Sequence, residues 1–306
     1  MSGPVCDAGD VADRYGQAPT ATGRLRWRRH PFDIAAQTWM VLTSRPVERD
    51  RFPWLLGPAA GNEVVGHGWV DQEAQAIGGR TSTGPDLGLL PDFNALASPA
   101  FDAARVNPKI VDFYEHTSAW QLDLWSEWCP FAWPFGWLLT SMWSERLQQL
   151  SLPMRPLDVS FGMDSQVVQL HGPDDAVVGA AWLRSMRKTG ATTYSGLYGI
   201  TELPSQRRPS VRVVFPLPRG CLSVFLRPSV DDAGGLHLHS PIGEFGEEGA
   251  YLVLNRGDGR INARRVPVAE HFHLYVDGDG DVRTDHFVRL WSVPTIRLHY
   301  RLRRVA

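Results

Sequence analysis

Apolar and polar residues alternate with a period of two through the C-terminal half of the chain. The alternating runs begin near Ser165 and are separated by clusters of Gly, Pro and Asp, as at 172–175 and 277–281. Residues two apart share a face of a β-strand, so this pattern predicts strands. The predicted strands are 166–170, 178–186, 192–198, 211–217, 222–227, 236–240, 250–255, 260–264, 270–277, 282–290 and 296–302.

No helical pattern separates these predicted strands. Short strands at regular spacing with turn signals between them are typical of antiparallel barrels and sandwiches. The expected fold class is therefore α+β and predominantly antiparallel β. The C-terminal half should form a barrel-like or sandwich meander, covered by a helical segment rich in tryptophan.

Helical spacing appears upstream of the strands. Asn107 can cap a helix, Pro108 suits its first turn, and apolar residues follow at near-helical spacing over 110–114. A second amphipathic helix is predicted over 135–150, where apolar residues recur at three and four. The intervening segment 120–128 fits a strand by its alternation and a helix by its later tryptophans.

The chain is expected to divide into four parts. Residues 1–24 are rich in Gly, Ala, Pro and Asp and are predicted to be a disordered tail. Residues 25–105 are predicted to form an irregular wrap, 106–152 a Trp-rich helical segment, and 157–304 the antiparallel β domain. Residues 25–304 should fold as one integrated domain.

Composition narrows the function classes. The 306 residues carry a formal net charge of −2 with acids and bases interspersed, so nucleic acid is not an expected partner. The three cysteines are far apart, no signal peptide is visible, and no apolar run is long enough for a transmembrane segment. These features predict a soluble protein with a cytoplasmic location. Only two of the 31 basic residues are lysines, which suggests a GC-rich bacterial genome.

A cluster of tryptophans is the first unusual feature, because six of the twelve lie within 24 residues. Large indole rings suit three structures: a cover over the sheet, the wall of a pocket for a bulky apolar ligand, or a helix on a membrane surface. The pocket interpretation makes the following residues substrate-binding candidates: Tyr114, Trp120, Trp125, Trp128, Trp133 and Trp137.

Ionisable residues are interleaved with this cluster. Glu115, His116 and Asp123 are candidates for proton transfer, because a carboxyl group that faces apolar rings has its pKa raised towards neutrality. The alternative is that these residues form a solvated helix face, since Asp and Glu are seldom buried without partners.

Histidines on predicted strands are the second unusual feature. Each alternates with an apolar residue, so its strand has one apolar face and one polar face. The polar face could meet solvent, could line a barrel interior as acid/base groups, or could bind a metal through two His-x-His pairs with Asp285 or Glu244. The residues concerned are His237, His239, His271, His273 and Tyr275; the last three form a second candidate catalytic set.

These features favour an enzyme that acts on an apolar small molecule by acid/base chemistry without a cofactor. Isomerisation, cyclisation, dehydration and hydrolysis all fit, and bacterial specialised metabolism is a plausible setting. No glycine-rich nucleotide loop occurs. The alternatives are a non-catalytic carrier of a lipid or other apolar ligand, a metal-dependent enzyme that uses the His-x-His pairs, and an interaction protein that docks through its tryptophans.

Overall fold

The computed structural model describes residues 43–59, 68–128, 163–187, 192–217, 219–256 and 260–305. The predicted tail at 1–24 and the predicted helix at 135–150 lie outside these ranges. The described helices are α1 (Trp69–Ala76) and α2 (Pro108–Glu115), with 3-10 turns at Arg49–Arg51, Pro53–Leu55, Phe93–Leu96, Ala103–Arg105 and Thr117–Ala119. The described strands are β1 (Arg45–Glu48), β2 (Arg80–Thr83), β3 (Trp120–Trp128), β4 (Met163–His171), β5 (Val177–Met186), β6 (Thr192–Glu202), β7 (Pro209–Leu217), β8 (Gly220–Val230), β9 (Leu236–Ser240), β10 (Gly249–Asn255), β11 (Arg260–Val266), β12 (Val268–Val276), β13 (Val282–Leu290) and β14 (Val293–Arg304).

All of these strands belong to one antiparallel sheet with a branch. The main order is β2-β4-β5-β6-β7-β8-β9-β12-β13-β14-β3. The first half of β8 pairs with β10, which continues to β11 and β1, while its second half pairs with β9. Within the described ranges the end strands β2 and β3 do not pair with each other, so the sheet is open.

The predominantly antiparallel β character predicted from the sequence is confirmed. Each of the eleven predicted strands overlaps one of β4 to β14. The sheet does not close, however, so a closed barrel is not what these strands form.

The helical prediction for 106–152 is wrong over 120–128. This segment is strand β3 and pairs with β14 along its whole length. Trp120 and Leu124 are buried while Gln121 and Trp125 are exposed. The segment therefore has the alternating burial of a strand, as its period-two spacing indicated. Pairing with β14 supplies hydrogen bonds that the local sequence does not reveal. Residues 129–152 lie outside the described part of the chain.

The short helix α2 begins where its capping signals predicted. The Asn107 side chain accepts a hydrogen bond from the Lys109 N–H at 3.0 Å, and a proline occupies the first turn. The helix buries Ile110, Phe113 and Tyr114 against the sheet. Phe113 and Tyr114 thereby reach the interior surface of the molecule.

Two apolar cores lie on opposite faces of the sheet. The inner core joins α2 and the segment 87–106 to one face, which is defined by Trp182, Val213, Val224 and Leu274. The outer core joins the N-terminal segment around Trp54 and helix α1 to the other face of strands β4 to β8, β10 and β11. The sheet is therefore the middle layer of the described structure.

Candidate functional site

The inner face of the sheet surrounds a cavity of about 240 Å³. Strands β5 to β8, β12 to β14 and β3 contribute to its wall, together with α2. Strands β5 to β8 and strands β12 to β14 and β3 are separated in the sheet order, yet they line the same space. The sheet therefore curves around the cavity. Most of the wall is apolar, as is usual for small-molecule sites. The apolar side chains include Phe113, Trp182, Phe215, Leu226, Phe272 and Leu298.

A Glu–His pair lies in this apolar wall. Glu270 and His286 are on the neighbouring strands β12 and β13, with Glu270 Oε2 3.2 Å from His286 Nε2. The His286 ring stacks on Phe272 with 3.7 Å between ring centroids. His286 is 9% exposed, and its Nδ1 is buried with no hydrogen-bond partner among the described residues. One ring nitrogen thus contacts a carboxylate, and the other has no partner in the described part of the chain.

A buried arginine lies in the wall on the side of strand β5. Arg184 is 5% exposed, and its guanidinium carbon lies 5.4 Å from the centroid of the Trp182 ring. Its Nη2 donates to Met163 Sδ at 3.4 Å, while its Nε is buried without a hydrogen-bond partner among the described residues. Burial lowers the pKa of the guanidinium. Within the described ranges no ion pair joins Arg184 to a carboxylate, so its charge is poorly compensated.

Tyrosine hydroxyls complete the polar part of the cavity. Tyr194 Oη donates to Tyr198 Oη at 2.8 Å, which leaves the proton of Tyr198 free to be donated. Burial raises the pKa of Tyr194 and of Tyr198 above its usual value, and it raises the pKa of Tyr300 to about 12. These side chains are therefore neutral hydrogen-bond donors at physiological pH.

The first predicted catalytic set lies away from the cavity. Glu115 accepts a hydrogen bond from the Phe93 N–H at 2.9 Å, where it stabilises a 3-10 turn. His116 Nδ1 lies 3.1 Å from the Asp86 carboxylate. The remaining member makes an ion pair: Asp123 receives a hydrogen bond from Arg303 at 2.9 Å. None of the three lines the cavity.

Among the predicted binding residues, Tyr114 lines the cavity. Trp120 does not line the cavity; it is buried against Phe113, with 5.9 Å between ring centroids, and its Nε1 donates to Asp112 Oδ2 at 3.1 Å. Trp125 is 51% exposed on β3, and the Trp128 side chain lies outside what the structure describes. Trp133 and Trp137 also lie outside the described residues. Among the described tryptophans, Trp182 lines the cavity, and it belongs to an apolar strand face rather than to the tryptophan cluster.

The histidines of β9 and β12 face away from the cavity, in contrast to His286 of β13. Glu270, Phe272 and Leu274 point inward from β12, so His271, His273 and Tyr275 point to the outer side. The interpretation that the polar strand face lines the interior is therefore wrong. Apolar faces line the interior because burial of Phe and Leu sets the orientation of each strand.

On the outer side, imidazoles and one carboxylate form what we call the histidine cluster, defined as Asp231, His237, His271 and His273. The rings of His237 and His273 stack with 4.2 Å between centroids, and His237 Nδ1 lies 3.0 Å from His271 Nε2. Burial and the neighbouring imidazoles lower the pKa of His271 to about 4, and burial lowers the pKa of His237. His239 lies beside the cluster, with its ring edge-on to His271.

Fold and site together define a protein with an open, curved antiparallel sheet around an apolar cavity that contains charged groups. No family model matches the chain, and no solved structure matches it. Among curated proteins, the chain is similar to the uncharacterized membrane protein YndJ of Bacillus subtilis (strain 168), with 25% identity over 224 residues. The match covers 71% of this chain and 38% of that relative, so the chain spans less than half of the relative's length.

This comparison corrects one expectation. The cytoplasmic location predicted from the sequence is contradicted, because the relative is named as a membrane protein. In the part of the chain that the structure describes, no helix combines the length and the apolar composition needed to cross a membrane.

Proposed function

We propose that the cavity binds a small, mainly apolar molecule that carries an anionic group, and that the Glu270–His286 pair transfers a proton on that molecule. One observation carries the proposal: Arg184 and His286 lie in the wall of a mainly apolar cavity, and each has a buried side-chain nitrogen with no hydrogen-bond partner among the described residues. Buried charges and buried polar atoms without partners are costly, so their retention is typical of sites that act on a ligand.

The presence of Arg184 in the wall is the reason for proposing an anionic group on the ligand. A guanidinium offers five N–H donors, and a thioether sulfur is a weak acceptor for them. A carboxylate or similar anion would receive charge-assisted hydrogen bonds from Arg184, while the aromatic and aliphatic wall would hold the apolar body. In this proposal the open sheet functions as a barrel-like container around the ligand.

The Glu270–His286 pair supports proton transfer without a cofactor. In the tautomer with a proton on Nε2, His286 donates to Glu270 and carries its lone pair on the buried Nδ1. Nδ1 would then accept a proton from a ligand C–H or O–H bond and return it to another ligand atom. Tyr198 would stabilise the developing oxyanion by donating a hydrogen bond from its hydroxyl group.

A non-catalytic carrier is the second candidate function. The predominance of apolar side chains in the wall favours it, because the same wall would retain a lipid-like ligand without any chemistry. The carrier needs Arg184 for affinity and does not need His286. Binding and proton transfer therefore have to be measured separately.

Binding is tested with decanoate and decanol, which share an apolar chain and differ in charge. Wild-type protein should bind decanoate more tightly by about 10- to 150-fold, the equivalent of about 1.5–3 kcal/mol for a charge-assisted hydrogen bond. Arg184→Met should abolish this preference and leave decanol binding unchanged. Arg187→Gln is the matched control, because Arg187 is exposed and paired with Asp164. Equal affinities of wild-type protein for the two ligands would argue against the proposal.

Proton transfer is tested with 4-oxodecanoate, a carboxylate whose ketone has slowly exchanging α-protons. Wild-type protein in heavy water should accelerate deuterium uptake at these carbons by about 100-fold or more relative to His286→Gln, as expected for loss of a general base. Decanoate binding should be the same in both proteins. Equal exchange rates with intact binding would support the carrier instead.

A further inference from the structure

We propose that Asp231, His237 and His273 form a binding site for a divalent transition-metal ion of the zinc class on the outer side of the sheet. This site is separate from the cavity and independent of the function proposed for it. One ligand atom from each residue lies within 4.8 Å of the others. The three residues come from the turn after β8 and from the adjacent strands β9 and β12.

Asp231 is held in the orientation that a monodentate ligand needs. Its Oδ1 accepts hydrogen bonds from the backbone N–H groups of Ala233 and Gly235, both at 2.8 Å. Its Oδ2 points to two imidazoles, at 3.2 Å from His273 Nε2 and 3.4 Å from His237 Nε2. The turn thus fixes one carboxylate oxygen and presents the other, which is how outer hydrogen bonds position metal-binding carboxylates.

The spacing of these atoms matches a tetrahedral ion. With metal–ligand distances of about 2.0–2.1 Å, two ligands of tetrahedral zinc are about 3.3 Å apart. Both measured separations from Asp231 Oδ2 agree with this edge length. The His273–Asp231 contact is also within hydrogen-bond distance, but Asp231 Oδ2 faces two imidazoles, whereas Asp285 on the same side of the sheet contacts one, that of His299, at 2.7 Å.

The contact between His237 and His271 is compatible with a free ligand nitrogen on His237. His237 Nδ1 lies 3.0 Å from His271 Nε2. With the proton on Nδ1 donated to His271, the lone pair of His237 Nε2 is directed towards Asp231. Metal-binding histidines commonly donate their second ring nitrogen in this way.

The site also has room for an ion and an additional ligand. The side chains of Asp231, His237 and His273 are 26–31% exposed, so water can reach them. The stacked rings of His237 and His273 need a rotation of one imidazole for both lone pairs to meet at the ion. Two nitrogen ligands favour zinc-class ions over magnesium or calcium, which prefer oxygen.

The arrangement differs from the His-x-His pairs considered from the sequence. Residues two apart on one strand are separated by about 6.5–7 Å along the backbone, whereas directly opposed residues on antiparallel strands have Cβ atoms about 4.5–5.5 Å apart. His237 and His273 are such opposed residues. His239 is therefore outside the proposed ligand set, and Asp285 is engaged with His299.

The test uses the full chain without a histidine tag. Titration with Zn²⁺ should show one site per chain with a dissociation constant of about 1–10 μM or lower, and Co²⁺ should give the visible absorption of a tetrahedral complex. His237→Gln, His273→Gln and Asp231→Asn should each weaken Zn²⁺ binding by about tenfold or more. His299→Gln is the matched control and His239→Gln is the control for a His-x-His site; both should bind like wild type.

Two outcomes would overturn the proposal. The first is a wild-type protein that does not bind Zn²⁺ stoichiometrically in that range, and the second is a loss of Zn²⁺ affinity in His239→Gln as large as that in His237→Gln. Thermal unfolding separates loss of ligands from loss of fold. Zn²⁺ should raise the melting temperature of the wild type and of His299→Gln, but not that of His273→Gln, provided that all three unfold cooperatively without metal. Decanoate binding should be unaffected by these substitutions, which distinguishes this site from the cavity.

Discussion

The tyrosines of the cavity illustrate how burial in an apolar wall changes the pKa of individual polar residues. Tyr194, Tyr198 and Tyr300 each have a raised pKa because burial penalises the phenolate. They also influence one another and Arg184 electrostatically. A ligand in this cavity would therefore meet neutral hydroxyl donors and one cation.

We expect the protein to lose stability at high pH through these tyrosines. The pKa of Tyr300 is raised from 10.0 to about 12 in the folded state. Its contribution to the free energy of unfolding is therefore fully present below about pH 10 and is lost as the pH rises through about 12. Urea unfolding at a series of pH values should show this decline, and Tyr300→Phe should make it shallower. A titration in which all tyrosinate absorbance appears near pH 10 would contradict the expectation.

Sequence patterns located the strands that carry the cavity residues but singled out other residues on them. His271 and His273 attracted attention because they recur on one strand face. Glu270 and His286 were not singled out, although each is an ionisable residue on a mainly apolar strand face, which is the signal that would have found them. Arg184 follows the apolar run of β5, and nothing local distinguishes it from a solvated arginine. Its burial depends on the curvature of the whole sheet.

At the scale of elements, the close approach of β8 and β10 depends on a glycine. Gly220 lies opposite Leu254 in the register of these strands. A Cβ atom at this position would lie 1.9 Å from the Val253 carbonyl oxygen. Any side chain here has to displace the neighbouring backbone.

We therefore expect Gly220→Ala to destabilise the protein by about 1–3 kcal/mol, the usual cost of a forced backbone shift in a packed region. Gly199→Ala is the matched control, since the nearest atom to its added Cβ would be 3.9 Å away, within a strand of the same sheet. Urea unfolding of both variants measures the difference. Equal midpoints would show that the backbone of β10 adjusts without cost.

Strand β3 shows why element type was harder to predict than element position. The sequence of 120–128 contains both periods, and local preference does not decide between them. The strand conformation is determined by pairing with β14, which lies 165 or more residues further along the chain. Helix α2, by contrast, has its cap and its proline within its own sequence, so it was predicted correctly.

At the scale of the whole molecule, the segment around Trp54 forms a layer that covers one face of the sheet. Trp54 is 2% exposed and packs edge-on against Phe225 and Tyr251, with ring centroids 5.3 and 5.1 Å away. The segment 25–105 is hard to interpret from its sequence because its apolar residues lack a period. Within the described residues 43–59 and 68–105, most buried apolar side chains pack against the sheet.

Trp54→Ala should destabilise the protein by about 3–5 kcal/mol, because a fully buried indole leaves a cavity that the sheet cannot refill. Trp291→Ala should change stability by less than about 0.5 kcal/mol, since Trp291 is 63% exposed in the β13–β14 turn. Thermal or urea unfolding of the two variants provides the comparison. A loss for Trp54→Ala as small as that expected for Trp291→Ala would mean that the outer layer contributes little to stability.

The branch at β8 has a consequence for how the molecule can move. One half of this strand is bonded to β9 and the other half to β10, and β7 runs along its opposite edge. Separation of β9 from β8 leaves β8 anchored on two sides, and the same holds for separation of β10. The sheet can therefore fluctuate as two units that open independently.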